Sequence, residues 1–281
     1  MKKLGIILDS FSTLTDEEAN QLDYGMLKLN YELDGILHED IIKVHNKETK
    51  NAFEDAKIIR TSLPNLTKIE EAIKDKAEKY DEVLVLPIPS NLSGTFNAAS
   101  QVAKNYKNVT VFDHNFSCGA IIAIAKEAQR LYESGMTLAE ILKKVKKLSD
   151  QTFTLVGLES LDYIAKGGRL QKIPPAVLKL IKIKPILEFK EKNSFKGFKF
   201  TSTNMVTKMF SIIEKQIGGW NNVDLYDFHI MHYFDGEIYS EAVKQAENNK
   251  ITYASNLWGS LTVMAHTGPT SVGICITPKI N

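Results

Sequence analysis

The stretch VLVLPIPSNLSGTFNAASQVAK, residues 83–104, decides the fold class. Its apolar residues at 83–88 are typical of a buried parallel strand, and a helix is predicted from Leu92 to Lys104. Residues 89–95, which span the end of the strand region and the start of the predicted helix, hold hydroxyl and amide side chains beside one glycine. A buried strand that runs through a polar loop into a helix is the repeating unit of an open parallel α/β sheet. Ligands of such sheets bind at the carboxyl ends of the strands.

The same alternation of strands and helices extends to both sides of this stretch. A first buried strand is predicted at Leu4–Leu8, and capping boxes that begin at Thr15, Thr67 and Thr137 each predict the start of a helix. Asp34-Gly35 lies between alternating apolar residues and predicts a β-hairpin. The first half of the chain is therefore expected to be an α/β domain with a parallel sheet.

The second half of the sequence has a different pattern. Strands predicted at 185–189 and 194–200 follow one another without an intervening helix, and two helices are predicted further along. This pattern is typical of an α+β layer. We expect two closely packed domains, 1–150 and 151–281, whose segments could also interleave.

Composition narrows the class of protein. The chain has 281 residues, with 35 basic and 34 acidic side chains and a formal charge of +1, so no overall field favours nucleic acid. The apolar run near the N-terminus is too short for a signal peptide, and no run reaches the length of a membrane span. We therefore expect a cytoplasmic protein without a transmembrane segment that does not bind nucleic acid.

Cysteine and histidine patterns give little support to metal or redox chemistry. Cys118 and Cys275 each lie in an apolar run, which favours two buried thiols over a disulfide or a reactive thiol. His229 and His232 lie three residues apart on a predicted strand, so their side chains should point to opposite faces. No metal site is expected.

Four polar clusters combine hydroxyl, glycine or basic residues in patterns that suit an anion. They are residues 60–64, 89–95, 166–169 and 266–271. A hydroxyl at a helix start, beside a glycine that exposes backbone N–H groups, favours a negative ligand. Each cluster also has a purely structural interpretation. Ser93 and Thr61 could be helix caps, Gly167-Gly168 could form a turn, and His266 could be an ordinary interior histidine.

The joint occurrence of these clusters, in this order, resembles the bacterial DegV family, which includes the fatty-acid-binding subunit of fatty acid kinase. The matching segments are ILDSFST (7–13), Thr61-Ser62-x-Pro64, LSGTF (92–96), LDYIAKGGRL (161–170), IKPIL (183–187) and HTGPTSVG (266–273). They span nearly the whole chain. The first segment departs from the family, because Phe11 stands where threonine is commoner.

The resemblance implies a carrier that binds a long-chain fatty acid. Hydroxyls at Thr61, Ser62 and Ser93, a backbone N–H near Gly94, and the imidazole of His266 would hold the carboxylate. The acyl chain would lie in an apolar tunnel between the two domains. A carboxylate that leaves water needs several such donors.

The resemblance also implies a division of labour with a second protein. An ATP-binding kinase subunit that resembles dihydroxyacetone kinases would phosphorylate the fatty acid to an acyl phosphate, and Arg169 would stabilise the phosphoryl group. The chain has neither a phosphate-binding loop nor a dinucleotide fingerprint, so we expect a non-catalytic subunit without a cofactor. The alternative is a serine hydrolase or acyltransferase with Ser93 as nucleophile and His266 as base, although Ser93 lacks a Gly-x-Ser-x-Gly elbow.

Overall fold

The computed structural model describes residues 3–42, 45–166, 174, 176–177, 180 and 182–280. The strands within these residues are β1 (Leu4–Asp9), β2 (Gly25–Leu27), β3 (Asn30–Leu33), β4 (Ile36–Glu39), β5 (Ile59–Ser62), β6 (Glu82–Leu86), β7 (Val109–Val111), β8 (Phe153–Gly157), β9 (Lys184–Phe189), β10 (Ser194–Lys199), β11 (Tyr226–His232), β12 (Tyr253–Trp258) and β13 (Val272–Pro278). The helices are α1 (Asp16–Gln21), α2 (Lys47–Asp55), α3 (Leu66–Lys79), α4 (Thr95–Ala103), α5 (Gly119–Glu133), α6 (Leu138–Gln151), α7 (Asp162–Lys166), α8 (Ser202–Ile217), α9 (Glu237–Asn248) and α10 (Leu261–Thr267). Among the helices of these ranges, none has the length and apolar character needed to cross a bilayer.

A four-stranded parallel sheet with the order β2-β1-β6-β7 forms the first layer. Successive side chains of a strand point to opposite faces, so the apolar runs of β1 and β6 serve two cores at once. Leu8 and Leu86 pack towards α5 and α6, whereas Ile7 and Val85 pack towards α3 and α4. Full burial of each of these side chains contributes about 1.5–3 kcal/mol. The expected α/β class with a parallel sheet is confirmed.

A mixed six-stranded sheet with the order β10-β9-β8-β13-β11-β12 forms the second layer, and α8 and α9 cover one of its faces. Its neighbouring strands are antiparallel except for the pair β11 and β12. The strands of this sheet all follow residue 150, and those of the parallel sheet all precede it. The division into domains 1–150 and 151–281 nevertheless stays a prediction.

A small antiparallel sheet with the order β4-β3-β5 completes the fold and carries part of the site. The predicted hairpin joins β3 to β4, and Asp34 (φ 47°) and Gly35 (φ 91°) both take the left-handed backbone that a tight hairpin turn requires. The Asp34 carboxylate accepts the N–H groups of Lys57 (3.0 Å) and Ile58 (2.8 Å). This contact aligns β5, the strand that contains Thr61, against the hairpin.

The buried carboxylate of Asp40 joins this small sheet to α10. It accepts hydrogen bonds from the Ser10 hydroxyl (3.0 Å), the Leu261 N–H (2.9 Å) and the Ser260 hydroxyl. A buried acceptor of this kind is stable only when its oxygens are fully hydrogen-bonded. Asp40 therefore fixes the start of the helix that bears His266.

Two of the three helix starts that were predicted from capping boxes are confirmed. The capping boxes at Thr15 and Thr137 are present as predicted. The prediction at Thr67 is wrong, because α3 begins at Leu66 and its cap is Asn65. The Asn65 side-chain oxygen accepts the Thr67 N–H at 2.9 Å, so the helix starts two residues earlier than the hydroxyl pattern indicated.

Cys118, Cys275, His229 and His232 are all buried and packed within the fold. Cys118 and Cys275 are buried and unlinked, and burial raises the pKa of both thiols. His229 bonds to the Ser255 hydroxyl at 2.8 Å, while His232 stacks on Tyr239 from the opposite face of β11. Within the part of the chain that the structure describes, no group of three or more His, Cys, Asp or Glu side chains could hold a metal ion.

Candidate functional site

A cavity of about 570 Å³ lies at the carboxyl end of the parallel sheet. Its lining residues are Phe11, Leu29, Thr61, Ser62, Leu63, Ile88, Ser90, Asn91, Leu92, Ser93, Gly94, Ile164, Leu187, Glu188, Phe189, Asn193, Ser194, Thr262, Val263, His266 and Thr267. The first layer contributes the segments after β1, β2 and β6, and the second contributes β9 and α10. The volume lies within the range of about 300–1,000 Å³ that is common for small-molecule sites.

Five residues that the sequence singled out line this one cavity: Thr61, Ser62, Ser93, Gly94 and His266. They come from three separate elements, namely β5, the loop before α4, and α10. The structure therefore brings the predicted head-group residues together. The predicted phosphoryl-contacting residue, Arg169, lies outside the described residues.

A direct hydrogen bond joins Thr61 to His266 across 205 positions of sequence. The Thr61 hydroxyl oxygen lies 2.8 Å from His266 Nε2, and which of them donates depends on the imidazole tautomer. Both side chains are partly buried. The bond holds a hydroxyl and an imidazole side by side on the cavity wall.

Ser93 and Gly94 form the start of α4. The Ser93 hydroxyl bonds to the Thr95 hydroxyl at 2.9 Å and accepts the Thr95 N–H at 3.2 Å, so its structural interpretation as a cap is partly correct. Gly94 is the N-cap residue of α4. A Cβ atom at this position would lie 3.7 Å from the methyl groups of Leu63. The N-terminal end of α4, with the positive end of its helix dipole, therefore lies at the cavity wall, and such an end favours an anion.

The rest of the cavity is mainly apolar. Phe11, Leu29, Ile88, Ile164 and Val263 all line it. A chain of methylene groups enclosed here leaves water at a gain of about 0.8 kcal/mol for each group. A cavity with polar side chains at Thr61, Ser93 and His266 and a mainly apolar remaining lining suits an amphipathic molecule with a small charged head.

An asparagine pair that the sequence did not single out connects the two layers. The Asn91 amide donates to the Lys190 carbonyl and to the Asn193 side-chain oxygen (3.2 Å), and the Asn193 amide donates back to the Asn91 carbonyl (3.3 Å). These contacts fix the loop before α4 against the turn between β9 and β10. Asn91 lies within a quoted motif, but no local pattern marks Asn193, because the contact is made between distant segments.

One cavity-lining residue carries a negative charge that is already compensated. Glu188 is buried, and its carboxylate pairs with Lys196 at 2.6 Å and accepts the Ser194 hydroxyl at 3.2 Å. A buried carboxylate held this way does not repel a second one as strongly as a free charge would. The polar mouth of the cavity, formed by Thr61, Ser93 and His266, contains no acidic side chain.

The buried carboxylate of Asp9 lies directly behind the cavity wall. It accepts the N–H groups of Ile88 (2.6 Å) and Phe11 (3.1 Å), both of which line the cavity. Burial raises the pKa of Asp9 to about 7, against the lowering effect of these two hydrogen bonds, and the nearby Asp40 raises it further. The folded protein therefore holds a proton on Asp9 that the unfolded chain releases at lower pH.

This raised pKa predicts a pH dependence of stability. The contribution of the Asp9 proton is fully present below the unfolded pKa of 3.8 and is lost as the pH rises through about 7. Asp9→Asn should remove it, so the free energies of unfolding of variant and wild type should diverge by up to about 1.4 kcal/mol per pH unit in this window. Denaturant titrations at several pH values measure the difference, and parallel curves would contradict the assignment.

The chain is similar in sequence to known proteins over nearly its whole length. A family model described as "Uncharacterised protein, DegV family" matches residues 3–279. A DegV domain-containing protein of Clostridium acetobutylicum is 26% identical over 288 residues, which cover 99% of this chain and 100% of that protein. Another, from Mycoplasmopsis pulmonis, is 26% identical over 246 residues, or 83% of this chain and 85% of that protein.

Solved structures share the whole fold. A fatty-acid-binding DegV family protein from Thermus thermophilus superposes with a TM-score of 0.85 at 20% identity, over 99% of this chain and 100% of that one. A stearic-acid-binding protein from Eubacterium ventriosum gives a TM-score of 0.85 at 22% identity, over 99% of both chains. The arrangement of the two layers thus belongs to an architecture that other proteins share.

Proposed function

This chain belongs to the DegV family, and from that premise we propose that it is a carrier of one long-chain fatty acid. The observation that carries the proposal is the convergence of Thr61, Ser62, Ser93, Gly94 and His266 on one cavity whose remaining lining is mainly apolar. Solved proteins of the same fold that bind fatty acid, one of them stearic acid, support it. The apolar tunnel and the cytoplasmic location expected from the sequence stay predictions.

Affinity and orientation come from different parts of this site. Each methylene group that leaves water contributes about 0.8 kcal/mol, so a long chain supplies most of the binding free energy. The carboxylate gains less, because its hydrogen bonds to protein replace bonds to water. The head-group residues therefore set which end of the ligand faces the mouth.

A carboxylate held at the mouth can be presented to a second protein. The proposed partner is an ATP-binding kinase subunit of the kind that resembles dihydroxyacetone kinases, which would convert the fatty acid to an acyl phosphate. Phosphoryl transfer depends mainly on positioning and on stabilisation of negative charge, so a carrier can contribute residues without binding ATP. Arg169 and His266 are the residues proposed to contact the phosphoryl group.

The hydrolase alternative predicts different chemistry from the same residues. It requires Ser93 to act as a nucleophile with His266 as its base. The hydrogen bond of His266 Nε2 goes to Thr61, and that of the Ser93 hydroxyl goes to Thr95, which favours a binding role for both side chains. An activated ester tests the alternative, because turnover would favour a hydrolase.

A reconstitution experiment tests the carrier. We expect the isolated chain to bind fatty acid but not ATP, and to yield acyl phosphate only when the cognate kinase, ATP and Mg²⁺ are added. Arg169→Ala should lower that yield and leave fatty-acid binding unchanged, because the acyl chain supplies the affinity. Saturable ATP binding by the isolated chain would contradict the division of labour. Equal loss of binding and transfer in the Arg169 variant would make Arg169 a ligand or structural residue.

A further inference from the structure

Two small inner voids share lining residues with the main cavity, and each has a volume of about 10 Å³. One is lined by residues that include Thr154, Met231 and Gly273, and the other by residues that include Phe116 and Lys190. A space of this size holds at most about one water molecule. Neither void can accept part of an acyl chain unless the wall between it and the main cavity is removed.

Phe11 and Phe189 line the main cavity and both inner voids. Their rings therefore form the part of the wall, here called the partition, that separates the outer space from both inner ones. Val263 and Thr267 also border one void, and Asn91 and Leu92 the other. Among the described residues, no other side chain borders all three spaces. Thr61, Ser93 and His266 line the main cavity and neither inner void, so a chain whose head group they hold would direct its terminal methyl towards the partition.

Phe11 is the more firmly held of the two rings. It is 2% exposed, and its N–H donates to the Asp9 carboxylate at 3.1 Å within the short turn after β1. It packs in the same core cluster as Phe116 and Ile121, whereas Phe189 is only partly buried. A ring held from both the backbone and the core side acts as a fixed wall. It also stands at the position where the DegV pattern more commonly has threonine, a smaller side chain.

We propose that Phe11, with Phe189 beside it, sets the maximum length of the acyl chain that this protein accepts. The inference rests on the proposed fatty-acid binding and adds a specificity-determining residue to it. Methylene groups for which there is no room in front of the partition stay in water and contribute nothing to binding. Removal of the Phe11 ring joins the inner voids to the cavity and lets further methylene groups enter.

Gly273 offers a way to refill the inner space. It lines one of the voids, and a Cβ there would meet Met231 Cε at 3.5 Å and Val156 Cγ2 at 3.9 Å, which are ordinary contact distances. Gly273→Ala should therefore occupy part of the void without strain. Combined with Phe11→Ala, it should cancel part of the additional length.

The test is a binding series with saturated fatty acids from decanoic to eicosanoic acid, in steps of two carbons, on delipidated protein. We compare wild type, Phe11→Ala, Phe11→Thr, Phe11→Ala/Gly273→Ala and the control Ile88→Ala. Ile88 lines the main cavity and neither inner void, so its truncation should weaken all chain lengths by a similar factor. Phe11→Thr keeps the test valid if Phe11→Ala fails to fold.

We expect the length at which affinity stops rising to increase by at least two carbons in both Phe11 variants. Each additional buried methylene should tighten binding roughly fourfold. The Gly273 double variant should fall between wild type and Phe11→Ala. A length limit that is the same in folded Phe11 variants and wild type would overturn the inference and leave the carrier intact. If wild type binds none of these acids, the proposed function itself fails, and the inference fails with it.

Discussion

Replacing Thr61 and Ser93 together with alanine is expected to weaken fatty-acid binding by at least about 1.5–3 kcal/mol, the free energy of one hydrogen bond to a charged group. The loss arises because both hydroxyls lie at the polar mouth, and Thr61 also holds His266 through the 2.8 Å bond. Stability should change less than binding does, since both side chains are only partly buried. Titration of delipidated protein with a fatty acid, beside a denaturant unfolding curve, measures both.

A methyl ester of the same fatty acid provides the sharper readout. Wild type should prefer the free acid, because the ester has no negative charge for the mouth to stabilise. The double variant should prefer it less strongly, because His266 and the start of α4 remain as donors. Ser194→Ala is a matched control, since that hydroxyl also lines the cavity but is bonded to Glu188. A double variant that still discriminates acid from ester as wild type does would show that Thr61 and Ser93 do not contact the carboxylate.

Asp40→Ala should lower the free energy of unfolding by about 3–5 kcal/mol, because it leaves several buried donors unsatisfied at about 1–3 kcal/mol each. The substitution leaves the Ser10 and Ser260 hydroxyls and the Leu261 N–H without their acceptor. Fatty-acid binding should weaken as well, because the same carboxylate fixes the start of α10 and therefore the position of His266. Denaturant unfolding gives the stability change.

Asp40→Asn separates the loss of the charge from the loss of the acceptor. The amide keeps one oxygen in place, and burial already raises the pKa of the Asp40 carboxyl, so the neutral variant should lose less stability than the alanine variant. Equal stability of Asp40→Ala and wild type would mean that this network does not hold the start of α10.

Local signals in the sequence predicted much of the fold. The capping boxes at Thr15 and Thr137 depend on residues three apart, and both are present. The helix start predicted at Thr67 is wrong because Asn65 caps the helix instead. The hydroxyl pattern alone does not decide between these two residues. β12 was not predicted, because it is an edge strand with half its side chains exposed and the other half only partly buried.

The site was predictable only in part. The family resemblance named Thr61, Ser93 and His266, but their meeting in one cavity depends on β5 and α10 packing together over 205 positions of sequence. Phe11 departs from the family pattern, but no feature of the sequence indicates that its ring borders three spaces. Contacts of this kind follow from the packing of distant segments and leave no periodic or motif signal.

The measurement that tests the carrier most directly is mass spectrometry of the protein purified gently from a bacterial host, first under native conditions and then after lipid extraction. The account predicts a mass increment that corresponds to about one fatty acid per chain, and recovery of that acid in the extract. Delipidated protein should take the acid up again to the same stoichiometry. Protein that is free of lipid after gentle purification, and that also fails to take up any long-chain fatty acid, would contradict the account.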